Sequence, residues 1–242
     1  MKRLILAGFA VFLLVLLVTF PARVAYRLFA PPDLQMSGIT GSVWNGRAAE
    51  ALAADAYLTD VRWRLRPDSL LSGKVTYSAQ ARPVGGSLAT DVSASGDGSI
   101  TLTGLTANVP LDLVLPQFQA QGIGGDLVVV LDRLVIAGGK PTEISGTVTV
   151  VNLYVPILSA GVLGDYQLDF ESSPESITAT LGALEGMLDI SGTLTLWPSG
   201  EYRVDGLVRA RPEAPPSVES RLASLGTPDQ NGMRPFQTEG QL

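Results

Sequence analysis

The sequence predicts an all-β protein, with an N-terminal single transmembrane helix followed by one large twisted antiparallel sheet. One long uncharged segment stands near the N-terminus, and short glycine-initiated units with alternating apolar residues recur through the rest. No convincing helical period follows the Pro31–Pro32 break. The 26 Gly and 16 Pro are spread along the 242 residues, which is typical of strands joined by tight turns.

The N-terminal segment is the predicted membrane anchor. Residues 4–20 are uncharged, and at 1.5 Å per residue their helix is about 25 Å long, at the short end for a span. The span can extend to residue 25 if Arg23 snorkels. A cleaved secretory signal is the competing interpretation, but the small residues that cleavage needs are poorly placed, since Ala30 directly precedes a proline.

The orientation of the anchor is predicted from its flanks. Lys2 and Arg3 precede the span, and Arg23 and Arg27 follow it, so the positive-inside rule only leans toward a cytoplasmic N-terminus. The very short N-terminal flank favours the same orientation, because nearly all of the folding chain is then exported. The predicted organisation is a cytoplasmic stub (1–3), a transmembrane anchor (4–25), a linker (26–35) and a periplasmic β domain (36–242).

The remainder of the chain repeats a unit of glycine followed by alternating apolar residues, each predicted to open a strand after a turn. In residues 147–150 and 193–196, threonine alternates with an aliphatic residue, which indicates a strand with one packed and one wet face. The units are Gly41–Trp44, Gly73–Tyr77, Gly98–Leu102, Gly125–Leu127, Gly146–Val150, Gly192–Leu196 and Gly206–Val208.

Irregular spacing between these units predicts a meander of unequal hairpins rather than a solenoid. Because strands twist, such a sheet curls its apolar face inward, either closing as a sandwich or barrel or staying open as a hydrophobic trough. The sequence leaves both possibilities open. Residues 154–163 and 217–225 are predicted to be helical or irregular, the second with the helix-compatible spacing of Val218, Leu222 and Leu225, and residues 211–216 are predicted to be an extended spacer.

Composition excludes several classes of function. The chain has no Cys and no His, which removes disulfides, thiol nucleophiles, Ser-His-Asp triads and the commonest zinc ligands. A net charge of −6 and a pI of 4.7 make nucleic acid an unfavourable partner. No Gly-x-Ser-x-Gly elbow or phosphate-binding loop is present. We therefore predict no enzyme, no cofactor, and no catalytic, cofactor-binding or metal site.

Two groups of residues resemble sites and are interpreted as structural. Asp126 with Asp132, and Asp165 with Asp169 and Glu171, could form a calcium site or a carboxylate pair, but alternate carboxylates usually mark a solvated strand face. Five aromatic residues could form a stacking platform, although large aromatics packed in a β core explain the same pattern. These aromatic residues are Trp44, Trp63, Tyr77, Trp197 and Tyr202.

Three blocks of sequence carry a family resemblance. Residues 38–48 (GITGSVWNGRA) and 63–73 (WRLRPDSLLSG) follow the anchor, and residues 225–236 (LGTPDQNGMRPF) with Gly240 close the chain. In this order they resemble the type II secretion system protein N family, which has Gly-x-x-Gly-x-(Val/Leu)-Trp-x-Gly-x-Ala, Trp-x-Leu-x-Pro and Leu-Gly-x-Pro-Asp stretches. The residues themselves predict turns and buried aromatics, not catalysts.

The resemblance implies an accessory inner-membrane component of the machine that moves folded proteins from the periplasm across the outer membrane. Its β domain would then lie in the periplasm and interact with other secretion components, in the inner-membrane platform or the secretin. The family also resembles the AsmA-like group, whose sheets form lipid-handling grooves. The alternative expectation is therefore a periplasmic lipid-binding module with a hydrophobic groove.

Overall fold

The computed structural model describes residues 8, 15–16, 18–30, 34–53, 56–70, 73–114 and 121–241. The chain divides into two compact units, Met1–Val84 and Gly85–Leu242. The first unit contains α1 (Ala22–Phe29), β1 (Leu34–Ser37), β2 (Thr40–Gly41), β3 (Asn45–Ala53), β4 (Ala56–Leu65), α2 (Pro67–Leu70) and β5 (Val75–Pro83).

The described residues of the second unit form nine strands and two short helices. In chain order they are β6 (Ser87–Ala94), β7 (Ile100–Pro110), α3 (Leu111–Val114), β8 (Gly124–Ala137), β9 (Lys140–Tyr154), β10 (Val162–Ser172), β11 (Ile177–Gly186), β12 (Leu188–Leu196), β13 (Glu201–Ala210), α4 (Pro216–Leu222) and β14 (Arg234–Gln241). A 3-10 turn, Ala223–Leu225, follows α4. The predicted helix at 217–225 is confirmed, and residues 155–161 between β9 and β10 are irregular.

The first unit is an antiparallel sheet in the order β1-β3-β4-β5, with β2 paired to β3. Helix α1 packs on its apolar face, where Ala22, Ile39 and Ala48 are buried beside Tyr26 and Trp63. The Tyr26 hydroxyl donates to the Leu34 carbonyl at 3.1 Å and ties the helix to β1. The residues that follow the predicted span are therefore part of a folded unit.

In the second unit, strands β6 to β14 pair in sequence order, and every pairing is antiparallel. Strand lengths range from 8 to 15 residues. This arrangement confirms the predicted meander of unequal hairpins. It follows from the short turns, since a tight turn can only join antiparallel neighbours.

Cross-strand register separates the second unit's sheet into two chemically different faces. Val109 pairs with Leu127, Leu127 with Val150, and Val150 with Tyr166. One residue further along each strand the side chains point the other way, and there Thr149 pairs with Gln167. One face is thus apolar and the other polar, as the threonine alternation predicts.

Neither unit closes its sheet. In the second unit, β6 and β14 stand at the two ends of the strand order, and no pairing among the described strands joins them. Strands contact their sheet neighbours and the short helices rather than a second sheet layer. The sandwich and barrel interpretations are therefore wrong for the described strands, and the open interpretation is confirmed within each unit.

Several glycines predicted to open strands lie inside them instead. Gly146 lies within β9, where the register to β8 shifts, and Gly192 faces Gly206 in the middle of β12 and β13. The ring of Phe236 lies over Gly206, so that a Cβ there would be 2.4 Å from Phe236 Cζ. Glycine in a strand interior commonly lies at a β-bulge or where another group comes close to the backbone. Gly146 lies at a shift of register, and Gly206 lies under the ring of Phe236.

The predicted anchor falls mostly outside the described residues, which include only Gly8, Val15, Leu16 and residues 18–20 of it before Pro21. Among the residues that the structure describes, no helix has the length and the apolar character that crossing a bilayer requires. Helix α1 and the start of β1 fall within the segments predicted as anchor end and linker. The transmembrane segment stays a prediction.

Candidate functional site

A groove on the polar face of the first unit, hereafter the arginine groove, has a volume of about 620 Å³. The pairing register of β3 and β4 brings its lining residues together. Asn45 pairs with Arg64 and Arg47 with Arg62, and since residues two apart on a strand share a face, all four point the same way. The lining residues are Thr40, Gly41, Asn45, Gly46, Arg47, Arg62, Trp63, Arg64, Ser78 and Gln80.

Two of the three arginines in this groove have no carboxylate partner. Asp60 accepts two hydrogen bonds from Arg62, each of 3.0 Å. Arg47 donates its Nε to the Thr40 hydroxyl at 3.1 Å. Among the described residues, no carboxylate lies within ion-pair distance of Arg47 or Arg64. The groove therefore presents two uncompensated guanidinium groups.

The net charge of the whole chain is negative, although the part of the chain that forms this groove is basic. Residues 21–84 carry eight Lys and Arg against five Asp and Glu, a net charge of +3. Residues 85–242 carry seven against eighteen, a net charge of −11. With the +2 of residues 1–20, these parts of opposite sign sum to the overall charge of −6, and only the part after residue 84 is strongly acidic.

The groove lies beside the end of the predicted anchor. The Phe20 carbonyl accepts a hydrogen bond of 3.0 Å from the Val43 amide, and Pro21 forms an isolated β-bridge with Ser42. Ser42 and Val43 stand between groove residues Gly41 and Asn45 in the chain. The polypeptide therefore enters the first unit at the margin of the groove.

Helix α1 carries apolar side chains on its outer side as well as toward the sheet. Val24 is 41% exposed, Leu28 65% and Phe29 77%. On its inner side Arg23 donates its Nε to the Ile39 carbonyl at 2.5 Å. A short helix that is held on a folded unit and exposes large apolar residues beside basic ones is suited to a membrane interface.

The apolar face of the second unit is the other candidate surface. At one end, Val109, Leu111 and Leu127 are buried, with Val129 and Val148 half-buried around them. Farther along the same face, half-buried apolar residues continue across the sheet without a covering layer. These residues include Leu105, Phe170, Leu194 and Val204, with Leu131 and Ala179 buried among them.

Helix α4 covers one end of this face and forms a second core. Leu163 and Val218 are fully buried there, with Tyr166, Leu188 and Leu222. The Tyr166 hydroxyl donates to the Leu163 carbonyl at 3.1 Å, and desolvation raises the pKa of this hydroxyl to about 12. The phenol therefore stays neutral at physiological pH and acts as a structural donor.

Strand β14 forms a free edge of the second unit. It pairs with β13 on one side and with no other described strand. Gln237, Thr238 and Glu239 are exposed there. Unpaired backbone groups on an edge strand can pair with a strand from another chain.

The structure separates the acidic residues that the sequence analysis considered. Asp126 and Asp132 both lie on β8, six residues and so roughly 20 Å apart along the strand. On β10, Asp165 accepts a hydrogen bond from the Asn152 amide, and Asp169 accepts one from the Thr147 hydroxyl, both of 2.8 Å. Within the described ranges no group of three or more metal-ligating side chains is assembled.

The aromatic residues do not assemble into one platform within either unit. Trp63 packs in the first unit's core and donates its Nε1 to the Val43 carbonyl at 3.1 Å. Trp197 in the second unit lies 5.9 Å from the Arg203 guanidinium. Sequence reasoning missed the arginine groove, although Arg62 and Arg64 alternate along β4 and so carried a signal of a basic face.

Comparisons with known proteins support one family. A family model described as type II secretion system (T2SS), protein N matches residues 32–237. A type II secretion system protein N from Aeromonas hydrophila is 29% identical over 265 aligned residues, which cover 100% of this chain and 99% of that protein. One from Vibrio cholerae serotype O1 is 28% identical over 239 residues, covering 93% and 92%. No solved structure matches the chain significantly.

Proposed function

Because the chain belongs to the type II secretion system protein N family, we propose that it is an accessory inner-membrane component of the secretion machine. Its uncharged segment, residues 4–20, spans the membrane with the N-terminus in the cytoplasm, and its β strands lie in the periplasm. There the protein docks other secretion components of the inner-membrane platform or the secretin. The family match along nearly the whole chain is the observation that carries this proposal.

The membrane location is supported by two features of the first unit. The uncharged segment 4–20 precedes a helix, α1, whose Leu28 and Phe29 are exposed to solvent. Exposed apolar side chains of this size are stabilised when they enter the headgroup region of a bilayer. A span followed by an interfacial helix would hold the first unit against the membrane surface.

The docking role is supported by the free edge at β14. A partner strand that pairs with this edge gains main-chain hydrogen bonds, while exposed side chains such as Gln237 provide specificity. Pro235 and Glu239 on the same strand are residues that natural edges use to discourage indiscriminate pairing. The edge is therefore suited to a selected partner rather than to self-aggregation.

The second candidate function, lipid handling, is favoured by the open apolar face of the second unit. Among the described residues, no second sheet layer lies over half-buried side chains such as Val129 and Val148, and burial of apolar surface stabilises by about 25 cal/mol per Å². An acyl chain lying along this face would supply that burial. In this alternative the protein shields acyl chains in the periplasm.

The location is tested by a fusion reporter placed after residue 242. Alkaline phosphatase, which is active only after export, is expected to be active at this position, and a fluorescent protein that fails to mature in the periplasm is expected to stay dark. The matched control fuses the same reporters after Lys2, before the span. Fluorescence of the C-terminal fusion in the cytoplasm would overturn the proposed topology.

Photocrosslinking in cells distinguishes the two candidate functions. A photoreactive residue at Gln237 is expected to capture a secretion protein, and the product is expected to disappear in cells that lack the other secretion components. The same residue at Val148 reports on the apolar face, and at the adjacent Thr147 on the opposite face as a control. Capture of phospholipid at Val148 but not at Thr147, with no protein captured at Gln237, would favour lipid handling instead.

A further inference from the structure

We propose that the arginine groove of the first unit binds the phosphodiester headgroup of an anionic phospholipid. Neither the family nor the proposed docking role assigns a ligand to this groove. The inference rests on the proposed membrane location, because that location brings the groove to a lipid surface. The ligand chemistry itself is argued from the residues that line the groove.

The groove offers the donors that a phosphate group requires. Arg47 and Arg64 have no carboxylate partner among the described residues, and each guanidinium can donate two parallel hydrogen bonds to phosphate oxygens. Asn45 and Gln80 line the same space with amide groups. Two uncompensated cations with neutral donors around them match a monoanionic phosphodiester and its polar glycerol or sugar substituent.

The position of the groove favours a lipid over a free anion. Phe20, the last residue of the uncharged segment, is hydrogen-bonded to Val43 at the margin of the groove. Two residues later, helix α1 begins and exposes apolar side chains including Leu28 and Phe29. The end of the predicted span and the exposed apolar side chains of α1 would therefore bring the first unit, and the groove with it, to the headgroup region of a bilayer.

The charge distribution favours an anionic membrane surface in the same way. Such a surface attracts residues 21–84, with their net charge of +3, and repels residues 85–242, with their net charge of −11. Arg62 and Arg82 share Asp60, so within the groove the attraction depends chiefly on Arg47 and Arg64. Neutralising these two residues should therefore remove most of the binding.

The test uses the full chain in a neutral detergent and measures binding by native mass spectrometry and calorimetry. Three probes are compared: short-chain phosphatidylglycerol, short-chain phosphatidylcholine and inorganic phosphate. We expect clear preference for phosphatidylglycerol over the other two. In R47Q/R64Q the affinity for phosphatidylglycerol is expected to fall roughly 25-fold, since each cation near an anionic surface contributes about 1 kcal/mol, or about fivefold.

Two further variants separate the groove from general charge and from misfolding. R203Q/R221Q removes the same number of charges from the second unit, where both arginines are exposed, and is expected to bind phosphatidylglycerol as the parent does. R47K/R64K keeps the charges but loses the paired donors of guanidinium, and is expected to bind with intermediate affinity. Circular dichroism and thermal unfolding establish that each variant folds.

Three results would overturn the proposal. They are equal binding of phosphatidylcholine, equal binding of free phosphate, and an unchanged affinity for phosphatidylglycerol in R47Q/R64Q. Because the assay is done in detergent, it does not depend on where the protein resides in the cell. Failure here therefore leaves the proposed function standing, whereas failure of the reporter fusions does not.

Discussion

Replacement of Leu163 with alanine is expected to lower the free energy of unfolding by about 3 kcal/mol, within the range measured for buried Leu-to-Ala changes. Leu163 is 1% exposed and packs in one cluster with Val218 of α4 and Leu188 of β12. Its truncation leaves a cavity at the place where α4 covers the end of the sheet. Urea denaturation of the detergent-solubilised chain, followed by circular dichroism, measures the change.

The matched control is Leu184→Ala, which removes the same atoms from a side chain that is 55% exposed on the neighbouring strand β11. Its effect is expected to stay within about 0.5 kcal/mol, as for most surface substitutions. Equal destabilisation by the two changes would contradict the assignment of this cluster as the core of the second unit. It would also remove the argument that α4 covers that end of the apolar face.

Replacement of Gly164 with alanine is expected to destabilise the second unit by about 3 kcal/mol or more, through backbone strain and a steric clash. Gly164 faces Gly186 across β10 and β11, and its φ is +133°. A Cβ there would lie 2.1 Å from the Glu185 carbonyl oxygen and 2.4 Å from Gly186 Cα. Because both obstructing atoms are backbone, the strands would have to separate.

Gly182→Ala on β11 is the control for this prediction. A Cβ at Gly182 meets no atom within 4 Å, and its φ is not positive, so we expect little change in stability. Both variants are measured by the same urea titration, and loss of soluble Gly164→Ala protein counts as destabilisation only if Gly182→Ala is recovered normally. A Gly164→Ala protein as stable as the parent would contradict the described close approach of β10 and β11.

Local patterns in the sequence predicted the strands but not the structural role of each glycine in them. Gly73 and Gly98 precede β5 and β7 as predicted, whereas Gly146 and Gly192 lie inside strands. A glycine at a turn and a glycine at a bulge look alike in sequence, because both are followed by alternating residues. Only the neighbouring strand shows that Gly146 would clash with the Val130 carbonyl if it carried a side chain.

The arginine groove could be predicted only in part. Alternation places Arg62 and Arg64 on one face of β4, and this much is readable from the sequence. Arg47 joins them because β3 pairs with β4 in one particular register, and a slip of one residue would turn it to the opposite face. That no carboxylate of the described ranges lies within ion-pair distance of Arg47 or Arg64 also depends on residues distant in the chain.

The sequence by itself determined the family, the all-β class and the division of strands into apolar and polar faces, because a side-chain period of two is a local property of an extended chain. The tertiary structure alone decided that each unit's sheet stays open and that the basic charge gathers in a groove beside Phe20 and Pro21. Closure and register depend on which strands pair, and pairing is set by contacts between residues far apart in the chain.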